Sequence, residues 1–276
     1  MTGHKLLSFD GTPLHYCRFT PDMPPKGTLI IVHGMGEHGG RYRRLAEHLL
    51  PLGVESIALD LRGFGQSGGA RAYVPRFEYF LKDLEAIHAF VYRRNNKLPI
   101  FLLGHSLGGL IASDYAAGAK RPPLKGLVLS SPAFGIAIPV PTWKHLMALA
   151  VSVITPHYSE KDNVSISLLT HDAVIRNEYE KDPLIYHRIT TGLYREMTRA
   201  IKRSAQIAAR LSLPVLVLQA GNDAIVKKEE TLEFYDRIKS SDKTVEVYPE
   251  LYHEILNETG REKVFARITA WLFSKF

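Results

Sequence analysis

Short, nearly continuous apolar runs alternate with segments of helical periodicity along most of the chain. Thr28-Leu29-Ile30-Ile31-Val32 is the first run, and Val54 to Leu59, Ile100 to Leu103, Leu127 to Leu129 and Val215 to Leu218 follow. Strands buried on both faces of a parallel sheet have this composition. Weaker segments around residues 4–9 and 14–19, joined across the turn Asp10-Gly11-Thr12-Pro13, predict an N-terminal strand pair. Alternation over Thr244 to Tyr248 predicts a last strand. Between the runs, Tyr42, Leu45, Ala46 and Leu49 recur at helical spacing, as do Phe77, Phe80, Leu81, Leu84, Ile87 and Val91. Val264, Ile268, Trp271 and Leu272 repeat the pattern near the C-terminus. Strand and helix in alternation predict an α/β fold, a mostly parallel sheet with helices on both faces.

One region breaks the rhythm. Between residues 132 and 210 no strand is predicted, and the stretch is too long for a loop. It reads as a helical cap inserted into a core formed by residues 1–131 and 211–276. Within it, Trp143 to Ile154 predicts a helix apolar on most sides. Such a helix packs into a core or lies on lipid, and burial is the favoured expectation.

Composition narrows the class further. With 276 residues, 23% charged and 45% hydrophobic, the chain can bury one sizeable core and is not a disordered protein. The lone cysteine, Cys17, forbids an intrachain disulfide and suits a reducing compartment. No apolar run approaches the roughly 20 residues that span a bilayer, and Met1 to Lys5 leads into no signal core. The expected location is therefore the cytoplasm, with peripheral membrane contact through the cap left open. Asn163-Val164-Ser165 and Asn257-Glu258-Thr259 match the glycan acceptor pattern, which without a secretion signal reads as coincidence. The net charge of +7 comes from scattered clusters such as Arg41-Tyr42-Arg43-Arg44, so solvated faces are expected and no nucleic-acid partner.

Candidate chemistry centres on Gly104-His105-Ser106-Leu107-Gly108. A strand precedes this Gly-x-Ser-x-Gly match and a small-residue helix from Leu107 to Ala117 follows it, which is the context of a nucleophile elbow. A serine hydroxyl needs a base. His253 lies just past the last predicted strand, and Asp223 just past Val215 to Leu218, so both fall at carboxyl ends of strands, where sites gather. Serine, acid and histidine then follow in the chain order expected for this fold. A turn aspartate bonded to its own backbone is the alternative for Asp223. Asp242 and Glu250 are weaker acids, and His4, His15, His48, His88, His145, His157, His171 and His187 are assigned ordinary surface roles. Oxyanion donors are expected from the N–H groups of Leu107 and of Met35, in the loop Val32-His33-Gly34-Met35-Gly36-Glu37-His38.

These residues carry a resemblance to the α/β-hydrolase superfamily, and within it to the monoacylglycerol lipase and lysophospholipase group. The matching segments are HGMGEH with Gly40-Arg41-Tyr42, Asp60 to Ser67, GHSLGG, Lys181-Asp182-Pro183-Leu184, Gly221-Asn222-Asp223 and Tyr252-His253-Glu254-Ile255-Leu256-Asn257-Glu258. The resemblance implies a serine hydrolase whose cap shapes an acyl pocket and helps it dock on lipid. It also implies that Glu37 and Arg41 hold a glycerol end. The expected reaction is hydrolysis of monoacylglycerol, a small lipid ester, to fatty acid and glycerol, without cofactor or metal. Lysophospholipase or short-chain esterase is the near alternative, and a ligand-binding protein without turnover the distant one. Asp60 to Ser67 reads as a structural turn.

Overall fold

The fold comes from a computed structural model, which describes residues 2–118, 121–162 and 164–276. Strand β1 (Thr2–Leu7) pairs antiparallel with β2 (Pro13–Phe19), so Ser8 and Phe9 fall in the turn and not in the predicted strand. Then come β3 (Gly27–Val32), α1 (Arg43–Leu49), β4 (Val54–Leu59), α2 (Glu78–Arg94), β5 (Ile100–His105), α3 (Leu107–Ala116) and β6 (Gly126–Ser130). The chain leaves the sheet through α4 (Thr142–Ile154), β7 (Ser159–Lys161), α5 (Ala173–Lys181), β8 (Arg188–Thr190), α6 (Thr191–Lys202) and α7 (Ser204–Ala208). It returns in β9 (Val215–Ala220), α8 (Lys228–Arg237), β10 (Lys243–Tyr248) and α9 (Arg261–Phe273).

Among the described residues the main sheet has eight strands in the order β1-β2-β4-β3-β5-β6-β9-β10. All neighbours from β4 to β10 are parallel, and β1–β2 and β2–β4 are antiparallel. The apolar runs sit where both faces are covered. In β3, Ile30 and Val32 join α2 and α3 in one core, and Leu29 and Ile31 join α1 and α9 in the other. α8 escaped the periodicity reading because it buries only Thr231 and Phe234, too few positions to define a face.

The insertion departs from expectation in two ways. It contains a two-stranded antiparallel sheet, β7 with β8, where no strand was expected. Three residues per strand leave no period to read, so only the partner reveals them. Second, α4 is not buried: Trp143 is 66% exposed, Val153 75% and Ile154 84%, and Ser152 is the only buried residue of the helix. Its other side packs toward α6, with His145 Nδ1 2.7 Å from the Tyr194 hydroxyl. The end of the insertion belongs to the main core, since Leu193, Met197, Ala200, Ile207 and Ala208 join the cluster beneath α2 and α3. Asn163 lies outside the described residues, whereas Asn257 is buried and donates Nδ2 to Glu254 Oε2 at 3.1 Å, which leaves no room for a glycan.

Two of the histidines expected at the surface are buried. His15 sits on the Asp60 carboxylate at 2.9 Å, and His88 on the Tyr115 hydroxyl at 2.9 Å. Asp60 also accepts from the N–H groups of Gly39 (2.7 Å) and Gln66 (2.8 Å), so it clamps the loops after β3 and β4 together. That is the structural turn expected of this stretch.

Burial predicts how substitutions divide. Phe134 is buried and stacks on Phe234 with ring centroids 3.6 Å apart. Phe134→Ala should cost about 3–5 kcal/mol in denaturant unfolding. Ile154→Ser, on the open face of α4, should stay within about 0.5 kcal/mol of wild type in the same measurement.

Candidate active site

Ser106 joins β5 to α3 at φ 52°, ψ −121°, a backbone region that side-chain-bearing residues rarely enter. Close packing enforces it. A Cβ on Gly104 would fall on the Gly108 carbonyl, and one on Gly108 would fall on the carbonyls of Val32 and His33. The Ser106 N–H donates to the Ser130 carbonyl at 3.0 Å, and its own carbonyl accepts from Gly109 N–H at 2.9 Å and Ala133 N–H at 3.0 Å. With both backbone groups tied down, the side chain projects from the turn into a cavity of about 690 Å³. Met35 and Leu107 line the same cavity. Leu107 opens α3, so its N–H points out of the helix end, where negative charge is favoured.

Asp223 and His253 are brought together from separate loops. His253 Nδ1 lies 2.9 Å from Asp223 Oδ2. Asp223 Oδ1 accepts from the N–H groups of Ile225 and Val226, both at 2.9 Å. The turn reading and the partner reading of this aspartate therefore both hold, one oxygen each. Asp242 and Glu250 lie exposed, far from such a role. His253 is buried against His105, the residue before Ser106, with ring centroids 4.8 Å apart. Glu258 holds the His253 loop by accepting from the N–H groups of Tyr252 (2.9 Å), His171 (3.1 Å) and Thr259 (3.0 Å).

Glu37 and Arg41 are not on the cavity wall. Glu37 Oε1 accepts from Gly34 N–H at 2.6 Å and from the Tyr42 hydroxyl at 2.8 Å. Arg41 Nη1 donates to Glu37 Oε2 at 2.9 Å, and its two terminal nitrogens grip Glu254 at 2.6 and 2.7 Å. Glu254 is the site-flanking residue that sequence reasoning passed over. It stands in the quoted motif, but nothing in its spacing reveals a partner more than two hundred residues away.

Charge in this pocket is asymmetric. Burial alone would lower the pKa of His253, but the carboxylates of Asp223, Glu254 and Glu37 raise it above the ordinary imidazole value. Burial, and then the neighbouring His253, push His105 down to about 4, so it stays neutral. Burial alone would raise the Glu37 carboxyl, but the Arg41 guanidinium foremost holds it well below the usual range. Burial raises Asp223 and His253 lowers it, and the net direction is down.

A mostly parallel sheet with a strained serine past one strand end and a hydrogen-bonded histidine–carboxylate pair past two others is the layout of a serine hydrolase of the α/β-hydrolase fold. The family model described as "Serine aminopeptidase, S33" (Hydrolase_4) matches residues 23–260. The human monoglyceride lipase is 33% identical over 276 residues, covering 97% of this chain and 89% of that one. Phospholipase YtpA of Bacillus subtilis is 32% identical over 249 residues, covering 90% and 95%. The crystal structure of the Paleococcus ferrophilus monoacylglycerol lipase superposes with a TM-score of 0.86 at 31% identity, covering 95% and 99%. By contrast, the chain spans only 28% of an uncharacterized abhydrolase domain-containing protein of Dictyostelium discoideum. The chain belongs to this hydrolase family and, within it, to the monoacylglycerol lipase group.

The raised His253 pKa has a kinetic sign. With His253 as the general base, which must be neutral to act, ester hydrolysis should switch on as pH rises through the His253 pKa. The acid limb of kcat/KM should have its midpoint above about 6.5. Asp223→Asn removes the largest carboxylate contribution and should lower kcat by about 10⁴-fold. A pH–rate series on a soluble ester measures both.

Proposed function

We propose that the protein hydrolyses monoacylglycerol to fatty acid and glycerol, with Ser106 as nucleophile, His253 as general base and Asp223 as its orienting carboxylate. As the Ser106 hydroxyl oxygen bonds to the ester carbonyl carbon, its proton passes to His253 Nε2. The carbonyl oxygen takes up negative charge, held by the N–H groups of Met35 and Leu107. Collapse breaks the carbon–oxygen bond to glycerol, which leaves with the proton from His253. Water then repeats the sequence on the acyl-serine and releases the fatty acid. Asp223 keeps the Nδ1 proton in place and favours the imidazolium that forms midway.

The observation that carries the substrate class is the cavity. Ser106 sits in its wall, and most of the remaining surface is apolar, including Ile136, Ala148, Val151, Ile189, Met197 and Ile201. An acyl chain is the occupant that suits such a lining. Residues 132–210 act as the cap over it, and the 33% identity to a monoglyceride lipase favours the glycerol ester. A lysophospholipid is the second reading, favoured by the 32% identity to phospholipase YtpA. The wall carries both signs, with Glu160 and Asp162 beside Lys161, Lys202 and Lys227, so its charge favours neither head group.

The open face of α4 is the surface we assign to transient contact with lipid. Among the described residues no helix is long and apolar enough to cross a membrane. Trp143, Leu146, Val153 and Ile154 nevertheless stand exposed beside the cavity-lining face, and exposed apolar patches mark interaction sites. The single cysteine, Cys17, is buried and free, in keeping with a reducing compartment.

A hydrolysis panel tests the chemistry. Monoacylglycerols should be cleaved faster than diacylglycerols, short esters or lysophosphatidylcholine, and Ser106→Ala should reduce every rate by at least about 10³-fold. Faster cleavage of lysophosphatidylcholine would reverse the substrate choice, and equal rates in Ser106→Ala would remove the nucleophile assignment. For the surface, sedimentation with phospholipid vesicles should recover wild type. It should recover about ten-fold less of the Val153→Ser, Ile154→Ser double variant, through loss of apolar burial.

A further inference from the structure

Glu254 follows His253 in the chain and is buried with its carboxylate turned into Arg41. From there a bonded path continues through Glu37 to the Gly34 N–H, in the loop that carries Met35. Tyr42 and Asn257 supply further donors to the two carboxylates, and the Arg41 guanidinium lies over the Tyr179 ring at 4.6 Å. The path therefore ties the loop of the base to the loop of the oxyanion donor. Its charges do not cancel, because two carboxylates face one guanidinium. Desolvation offsets most of what buried ion pairs contribute to stability, so stability alone is a weak reason for placing three charges here.

We propose that Glu254, acting through Arg41 and Glu37, is a positioning residue that clamps the His253 loop to the oxyanion loop and whose surplus negative charge favours the His253 imidazolium during acyl transfer. The proposal rests on the assignment of His253 as general base. The groups acting on His253 are Asp223, bonded at Nδ1, His105 against its ring, and by charge alone Glu254, its chain neighbour, and Glu37, joined to Glu254 through Arg41. Asp223 acts through a hydrogen bond. Glu254 and Glu37 act at longer range, through a medium too dry to screen them. His105, held neutral, neither competes for the proton nor opposes the charge on His253.

The test is a pH series of kcat and KM with p-nitrophenyl butyrate on wild type, Glu254→Gln, Glu254→Asp and Glu37→Gln, with Ser106→Ala as control. Removing a carboxylate lowers the His253 pKa, so the acid limb of Glu254→Gln should move to lower pH by about half to one unit. Plateau kcat should fall about ten-fold while KM changes less than about two-fold, since the lost interaction strengthens only as the imidazolium forms. Glu254→Asp, which keeps the charge, should restore the wild-type midpoint. Glu37→Gln removes a unit of charge from the far end of the path and should move the midpoint in the same direction. It decides the question alone if Glu254→Gln does not fold. A midpoint that stays at the wild-type value in every folded Gln variant overturns the proposal. Hydrolysis surviving in Ser106→Ala would instead overturn the assignment beneath it.

Discussion

The site depends on a single backbone constraint, the left-handed conformation of Ser106 between β5 and α3. A residue with a side chain adopts such a conformation only where its surroundings leave no alternative. Here Gly104 and Gly108 let helix and strand approach until no Cβ fits between them, and Ser130 and Ala133 take up the serine's backbone bonds. The parallel sheet supplies the rigidity, because β5 lies between β3 and β6 near its centre. The strain is thus opposed by the best-buried part of the molecule. Its result is a serine and the first residue of a helix presented side by side at one point on the cavity wall.

Around that point the loops are arranged by charge as much as by packing. Asp223 divides its two oxygens between its own turn and His253, so one side chain both builds the loop and orients the ring. Glu258 gathers three N–H groups of the His253 segment and of the neighbouring insertion. The Arg41–Glu254 pair crosses from the loop after β3 to the loop after β10. Carboxylates that bind backbone donors in this way are both structural and electrostatic, and the net effect on the one titrating ring is to favour its charged form.

The insertion follows a different logic. Its C-terminal helices share the main core and fix it in place, while α4 turns one face to the cavity and leaves the other open. A helix apolar on most sides was expected to be buried, and the expectation failed because one side of α4 borders the cavity while the other stays exposed. Composition cannot distinguish a helix that lines a cavity from one that packs in a core.

Buried strands, the two N-terminal strands, four of the sheet-flanking helices and the strand–serine–helix turn at Ser106 were legible in the sequence, because each rests on local spacing. Periodicity reports what a segment buries, and glycines report where backbones meet. The short strands β7 and β8, the burial of His15 and His88, and the partners of Glu37, Arg41 and Glu254 were not legible. Each is a contact between residues distant in the chain, and a charged side chain at the surface reads the same as one locked in a buried pair. Sequence by itself named Ser106, Asp223 and His253 as candidates for the chemistry. Only the tertiary structure decided which carboxylates face His253, because that depends on how the loops after β3, β9 and β10 close on one another.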